Sequence, residues 1–181
     1  MLTITIPATT LWDERNERFI KTKAQTLQLE HSLVSLSKWE SKWCKAFLGK
    51  SEKTDDEILD YIKCMTITQN IDPEVYNSLT DENIQRIKKY IDAPMSATRF
   101  PKTENGKTSR EVATSELIYY WMIALNIPFE CQKWHLNRLI TLIRVCNLKN
   151  QPKKKRGSNR AAATDYAAMN AARRKKLGTR G

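Results

Sequence analysis

The spacing of apolar residues changes near residue 31, and this change constrains the fold more than any other feature of the chain. Before it, Leu2, Ile4 and Ile6 alternate with threonines, which is typical of a half-buried β-strand. After it, apolar residues recur every three or four positions, as they do on one face of an α-helix. The sequence therefore predicts an α+β fold that is mostly α.

The N-terminal segment, residues 1–31, is predicted to form a β-hairpin. The first strand ends at Pro7, a second alternating run covers residues 19–30, and the polar stretch 13–17 between them is typical of a hairpin loop. Two strands alone are only marginally stable in water. We therefore expect the hairpin to pack on helices or on the sheet of another copy.

Residues 32–150 are predicted to form a bundle of five or six helices and to build one domain with the hairpin. The first helix starts after Ser32, and Gly49 is expected to end it, because glycine is a favoured residue just past a helix. The second helix is predicted over about 55–66 and begins with a capping-box pattern. A third begins at Thr80.

Two further helices, over 109–125 and 130–148, carry the broadest apolar faces, and we expect them at the centre of the core. The segment before them, residues 93–109, contains two prolines and a glycine and shows little periodicity. A loop of this length in a compact domain is usually exposed and often functional. Arg99 and Phe100 within it are predicted to contact a partner.

Most aromatic residues of the helical region are spaced as core residues, although a platform for stacking nucleic-acid bases is an alternative interpretation. Trp39 and Trp43 are treated separately, because they share one broad edge of the first helix. An indole at the surface there would mark a protein-binding patch. Both residues are therefore predicted to contact a partner.

Positive charge is concentrated at the C-terminus. Residues 151–181 hold ten of the 31 lysines and arginines but one of the 20 acidic residues, so this tail has a net charge of +9 and the rest of the chain about +2. A flexible basic tail either binds phosphate backbones without sequence preference, or folds onto a protein partner, or is an inert extension. The candidate residues are Lys153, Lys154, Lys155, Arg156, Arg160, Arg173, Arg174, Lys175, Lys176 and Arg180.

Catalytic and metal-binding patterns are sparse. The chain has two histidines and lacks glycine-rich phosphate loops and the common hydrolase motifs. Cys131 and His135 lie at positions i and i+4 on one face of the predicted helix 130–148, where both could contact one zinc ion and Cys44, Cys64 or Cys146 could complete a tetrahedral site. Buried thiols and a hydrogen-bonded histidine are the favoured interpretation. We therefore predict no enzymatic activity, no cofactor and no metal.

The sequence also indicates an intracellular protein with no membrane segment. The four cysteines are widely spaced, and the N-terminus lacks the basic and apolar regions of a secretory leader, so reduced thiols are expected. The longest apolar stretch, about a dozen residues, is shorter than the roughly 20 that a membrane span requires.

One resemblance adds to these inferences. The strand TLQLEH (26–31), the helix LVSLSKWESKW (33–43) and the helical region that follows resemble, in this order, the tail assembly chaperones of long-tailed bacteriophages of Gram-positive hosts. The resemblance covers about residues 1–150. It implies a non-enzymatic factor in the host cytoplasm that coats the tape measure protein, or another structural protein, before the tail tube polymerises, with self-association as a further expectation.

The basic, alanine-rich tail departs from that family pattern. It leaves an alternative function open, a nucleic-acid-associated phage head or packaging protein that binds phosphates through its C-terminus. Residues 151–181 are expected to be flexible or transiently helical, because an isolated helix of about a dozen residues is marginal in water.

Overall fold

The computed structural model describes residues 1–13, 17–100, 112–150 and 159–178, and these residues are mostly helical with a small β part. The predicted α+β, mostly α class is confirmed. The chain divides into two compact units, Met1–Leu148 and Lys149–Gly181. The strands are β1 (Leu2–Ile6), β2 (Thr9–Asp13), β3 (Arg18–Thr22) and β4 (Gln25–Leu29). The α-helices are α1 (Leu33–Trp43), α2 (Asp55–Met65), α3 (Asp81–Asp92), α4 (Ser115–Ala124), α5 (Leu136–Asn150) and α6 (Asn159–Leu177), and Pro73–Ser78 and Phe129–Lys133 are 3-10 helices.

The four strands share one antiparallel register. β1 pairs with β4, with Leu2 opposite Leu29, and β2 pairs with β3, with Thr9 opposite Thr22. The residue numbers of each pair have the same sum in both ladders, so the register continues across a short interruption. The first strand ends before Pro7, as predicted, but the chain returns to strand geometry at β2, which was not predicted. Proline has no N–H to donate to a ladder, which accounts for an interruption at this point.

The β1–β4 pair is buried on one face and covered at both outer edges. The Ile67 N–H donates to the Gln28 carbonyl at 2.8 Å along the free edge of β4. On the other side, the Arg86 guanidinium donates to the Thr3 carbonyl at 3.1 Å. Such cover protects edges that would otherwise pair with other chains. The buried face consists of Ile4, Ile6, Leu27 and Leu29.

Helix α1 starts where the sequence predicts but ends earlier. Ser32 caps its N-terminus in a reciprocal capping box with Ser35. The helix ends at Cys44, which adopts the left-handed conformation with φ of 51°, and not at the predicted Gly49. The Glu40 carboxylate accepts the Phe47 N–H at 2.9 Å and so holds the chain that turns away from the helix. A tertiary contact, and not glycine, therefore sets this boundary.

The two helices predicted to be most apolar also begin later than expected. Helix α4 starts after the cap residue Thr114, whereas the pattern predicted a start at Ser109. The predicted helix over 130–148 is interrupted, because the His135 backbone forms an antiparallel bridge with Ser32. The Leu136 N–H donates to the His31 carbonyl at 2.7 Å beside that bridge. The chain is therefore extended between the second 3-10 helix and α5.

Two hydrophobic clusters stabilise the unit Met1–Leu148. The first cluster joins β1 and β4 to α2, α3 and the first 3-10 helix, and the second joins α4, α5 and the second 3-10 helix. Helix α1 belongs to both, because Trp39 packs in the first cluster while Leu33 and Leu36 pack in the second. Full burial of each large apolar side chain contributes roughly 1.5–3 kcal/mol, so α1 is central to the stability of this unit.

Candidate protein-interaction site

The indole of Trp39 lies inside the first cluster. Its side chain is 1% exposed, and its Nε1 donates to the Glu57 carbonyl of α2 at 2.8 Å. The rings of Phe47 and Tyr61 lie edge-on to it, with centroids 5.0 and 6.5 Å away. The expectation that Trp39 lies at the surface is therefore wrong. A tryptophan on the edge of a helix becomes core when a second helix covers that edge.

Trp43 is partly buried and is also held by α2. Its Nε1 donates to Asp60 Oδ2 at 2.9 Å, and Lys42 forms an ion pair with the same carboxylate. Burial of Asp60 opposes its ionisation, but the hydrogen bonds from Lys42 and Trp43 outweigh this effect and lower its pKa. The indole N–H is thus used internally, and the accessible part of the ring is what a partner could contact.

The two predicted loop residues differ in exposure. Arg99 is exposed. Phe100 is partly buried, with the Arg144 guanidinium 4.0 Å from its ring centroid, so a cation–π contact fixes it against α5. The remainder of the predicted loop, residues 101–109, lies outside the described residues. In the part of the chain that the structure describes, no hydrogen bond, ion pair or ring contact joins Arg99 or Phe100 to the indoles of Trp39 and Trp43.

An exposed apolar surface that the sequence analysis missed lies on α4. Tyr120 and Ile123 are one turn apart on the same side of the helix, and each is 62% exposed. On the opposite side of the helix, Ile118 and Met122 are fully buried in the second cluster. We call the pair Tyr120 and Ile123 the α4 surface. The sequence does carry a signal for the α4 surface, because α4 is apolar on all sides. A helix that packs against the protein on one side needs apolar residues on that side only.

A further exposed aromatic residue lies against α4 through its contact with Tyr119. Phe129, in the second 3-10 helix, is about half exposed, and its ring centroid is 6.4 Å from that of Tyr119. The Tyr119 hydroxyl donates to Gln132 Oε1 at 2.9 Å, which joins the middle of α4 to the 3-10 helix. Large apolar side chains exposed on adjoining elements are typical of protein-interaction surfaces.

A second exposed aromatic pair lies on the β2–β3 hairpin. Trp12 and Phe19 are cross-strand partners with ring centroids 4.8 Å apart in an edge-to-face arrangement. They are 51% and 67% exposed, in contrast to the buried face of β1 and β4. Cross-strand aromatic pairs stabilise a hairpin by up to about 1 kcal/mol, so this pair has a structural role as well as an exposed surface.

The two histidines form a buried pair at the bridge between β4 and α5. Their ring centroids are 5.1 Å apart, and His31 Nδ1 is 2.6 Å from the Tyr61 hydroxyl. His135 Nε2 donates to the Tyr90 carbonyl at 3.0 Å, and its Nδ1 accepts the Asn137 N–H. Burial and the neighbouring His135 lower the pKa of His31 to about 4, and burial also lowers the pKa of His135. Both imidazoles are therefore neutral at pH 7.

One groove places His135 next to a carboxylate, which is the arrangement expected of an acid–base site. The groove has a volume of about 310 Å³ and is lined by Glu30, Lys133, His135 and Arg138, among others. Glu30, however, accepts the Tyr90 hydroxyl at 2.6 Å and pairs with the N-terminal ammonium at 2.9 Å. Glu30 and His135 are therefore both engaged in contacts within the protein.

The arrangement of Cys131 and His135 on one helical face, which would bind zinc, does not form. Cys131 lies in the second 3-10 helix and His135 in the bridge, so the two do not share a helical face. Within the residues that the structure describes, no group of three or more histidine, cysteine and acidic side chains could hold a metal ion.

The predicted tail residues fall partly within α6. Arg173, Arg174, Lys175 and Lys176 lie at the C-terminal end of that helix and are exposed. Arg160 belongs to the first turn of the helix. Residues 153–156 and Arg180 lie outside the described part of the chain. The alanine-rich segment is helical in this structure, over a longer range than its sequence pattern covers.

Comparisons with protein-family models, with curated proteins and with solved structures found no match. In the described part of the chain, no helix has both the length and the apolar character needed to cross a membrane.

Proposed function

We propose that this protein is a non-enzymatic assembly factor of the tail assembly chaperone type, which coats the phage tape measure protein in the host cytoplasm. In this proposal the hairpin and the helical bundle act as one binding body, and the basic tail is a separate attachment point. The observation that carries the proposal is the α4 surface, since it exposes two large apolar side chains on a helix whose opposite side is fully buried.

The chemistry of such a client fits this surface. A tape measure protein is long and helical, so it repeats an apolar stripe along its length, and an exposed apolar helix face binds such a stripe by side-chain packing. Two side chains provide modest affinity. Many copies along one client, each raising the effective concentration for the next contact, provide avidity. Tail tube subunits that bind the same stripe then displace the coat.

The partner contact is assigned to the α4 surface, with Trp43, Arg99 and Phe100 as further predicted contacts. Trp39 is left out, because its burial would require the first cluster to open before it reached a client. Trp12 and Phe19 are proposed to contribute to contacts between copies, since they lie on a different element from the α4 surface.

The test starts from the neighbouring reading frames, one of which we expect to encode a very long helical protein, and co-expresses that protein with this chain. We expect the wild-type chain to keep that protein soluble and to co-purify with it, and the Tyr120→Ser/Ile123→Ser variant to recover at least tenfold less. The matched control is Leu48→Ser/Ile67→Ser, which removes two exposed apolar side chains elsewhere. Wild-type recovery by the α4 variant, or an equal loss in the control, would refute the assignment.

A further inference from the structure

Helix α6 exposes every side chain that the structure describes in it. It has 19 residues, which corresponds to a length of about 28 Å. The side chains in its middle are mostly methyl groups, and every one that the structure describes is exposed. The exposed alanines are Ala163, Ala167, Ala168, Ala171 and Ala172. On the sides where alanine lies the helix adds little beyond its backbone, whereas Tyr166 and Met169 project from it.

The C-terminal end of α6 carries four cations that point in all directions around the helix. Arg173, Arg174, Lys175 and Lys176 are consecutive, and successive residues of an α-helix are rotated by about 100°. Four consecutive cations therefore surround the helix instead of forming one stripe. The single acidic residue of α6, Asp165, lies more than two turns earlier.

This distribution discriminates between anionic partners. A membrane-binding helix needs a broad apolar face, but Arg173 projects between the directions of Tyr166 and Met169 on the helical wheel. An acidic protein surface contacts one side of a helix, which would leave about half of the cations unused. A nucleic-acid groove, in contrast, places phosphates on both sides of an inserted helix.

We propose that α6 binds double-stranded DNA by lying in the major groove, with the four cations at its C-terminal end contacting phosphates on both flanking strands. The major groove of B-DNA is about 12 Å wide and admits an α-helix, whereas that of A-form RNA is too narrow for side chains to read. The alanine-rich part of α6 offers few hydrogen bonds to base edges, so we expect binding to be independent of sequence. This inference goes beyond the proposed function and does not depend on the α4 surface.

The first experiment measures binding of the full chain to a fluorescent 20-base-pair duplex at 50 and 200 mM salt. Release of counterions by four cations predicts a loss of affinity of about 100-fold over this range. Replacing all four cations, Arg173→Gln, Arg174→Gln, Lys175→Gln and Lys176→Gln, should abolish most binding and lower the slope of log affinity against log salt by about 3 to 4.

The matched control removes the same charge from four exposed lysines of the first unit, at positions Lys50, Lys88, Lys89 and Lys133. We expect this control to keep at least a third of the wild-type affinity. Absence of duplex binding at 50 mM salt, or an equal loss in the control and in the α6 variant, would overturn the proposal.

The second experiment separates a groove-binding helix from a merely charged tail. Ala168→Pro keeps every charge and interrupts the helix, and we expect it to lower duplex affinity at least tenfold. We expect single-stranded DNA with the same number of phosphates, polyglutamate, and vesicles of one part phosphatidylserine to three parts phosphatidylcholine to bind at least tenfold more weakly. Wild-type affinity in the proline variant, or equal binding of any of these three probes, would contradict groove insertion.

Discussion

The two hydrophobic clusters of the first unit differ in how completely the large side chains of their helices are buried. In the first cluster Trp39 and Tyr61 are buried and hydrogen-bonded within the protein. In the second cluster α4 buries one side and leaves Tyr120 and Ile123 exposed on the other. The difference shows that a large apolar side chain on a helix is accessible to a partner only where no neighbouring element of the same chain covers it.

The largest expected effect is at the centre of the first cluster. Trp39→Ala removes a fully buried indole and its hydrogen bond to Glu57, and we expect the free energy of unfolding to fall by about 3–5 kcal/mol. Urea denaturation followed by circular dichroism measures this change. A loss below about 1 kcal/mol would show that the indole is not a core residue.

The histidine pair where β4 meets α5 predicts a pH dependence. The pKa of His31 is about 4 in the folded chain and near 6.5 when unfolded, so the unfolded state binds more protons between these values. Its contribution, about 3 kcal/mol, is present above pH 6.5 and is lost as the pH falls towards 4.

Urea titrations at pH 7 and pH 4 check this prediction against His31→Gln, which cannot titrate but can still bond the Tyr61 hydroxyl. Carboxylates such as Asp60, whose pKa is lowered, also lose stabilisation in acid, but they do so in both proteins. The wild type should therefore lose more stability than the variant. An identical loss in the two proteins would contradict the role of His31.

Glu40 links α1 to α4, and substituting it tests how much this link contributes to stability. Its buried carboxylate accepts the Phe47 N–H at 2.9 Å and the Ser115 N–H at 2.6 Å. Glu40→Ala leaves both donors unpaired, and we expect a loss of about 1–3 kcal/mol. Glu40→Gln, which keeps one acceptor oxygen, should lose less. Chemical denaturation of both variants distinguishes these outcomes, and equal losses would mean that the charge matters more than the hydrogen bonds.

The smallest expected change in stability is on the α4 surface. Tyr120→Ser/Ile123→Ser should alter the free energy of unfolding by no more than about 0.5–1 kcal/mol, since neither side chain is core. Thermal unfolding measures this effect and also shows that any loss of client binding is not caused by misfolding. A drop of 2 kcal/mol or more would place these residues in the core after all.

Much of the local structure was predictable from short stretches of sequence. The capping box at Thr54 and the cap at Thr80 form as predicted, because a cap involves side chains and N–H groups three residues apart. The early end of α1 and the break before α5 were not predictable. Each depends on a contact that helical periodicity does not report, between Glu40 and Phe47 seven positions apart in one case and between Ser32 and His135, distant in sequence, in the other.

The candidate site shows the same division. Sequence periodicity identified Trp39 and Trp43 as residues on one edge of a helix, but it contained no information on whether α2 would cover that edge. The helix that carries Tyr120 and Ile123 was expected at the centre of the core, because an apolar helix has no polar side to mark what faces solvent. Exposure depends on the number of neighbours, which periodicity does not report.

The sequence by itself determined that the chain is mostly helical with a small N-terminal β part, where several helices begin, and that positive charge is concentrated at one end. These properties arise from interactions between residues close in the chain. Only the tertiary structure decided which aromatic side chains are buried, where α1 and α5 are interrupted, and that both histidines are held neutral. Those properties depend on desolvation and hydrogen bonds between residues that come together only when the chain folds.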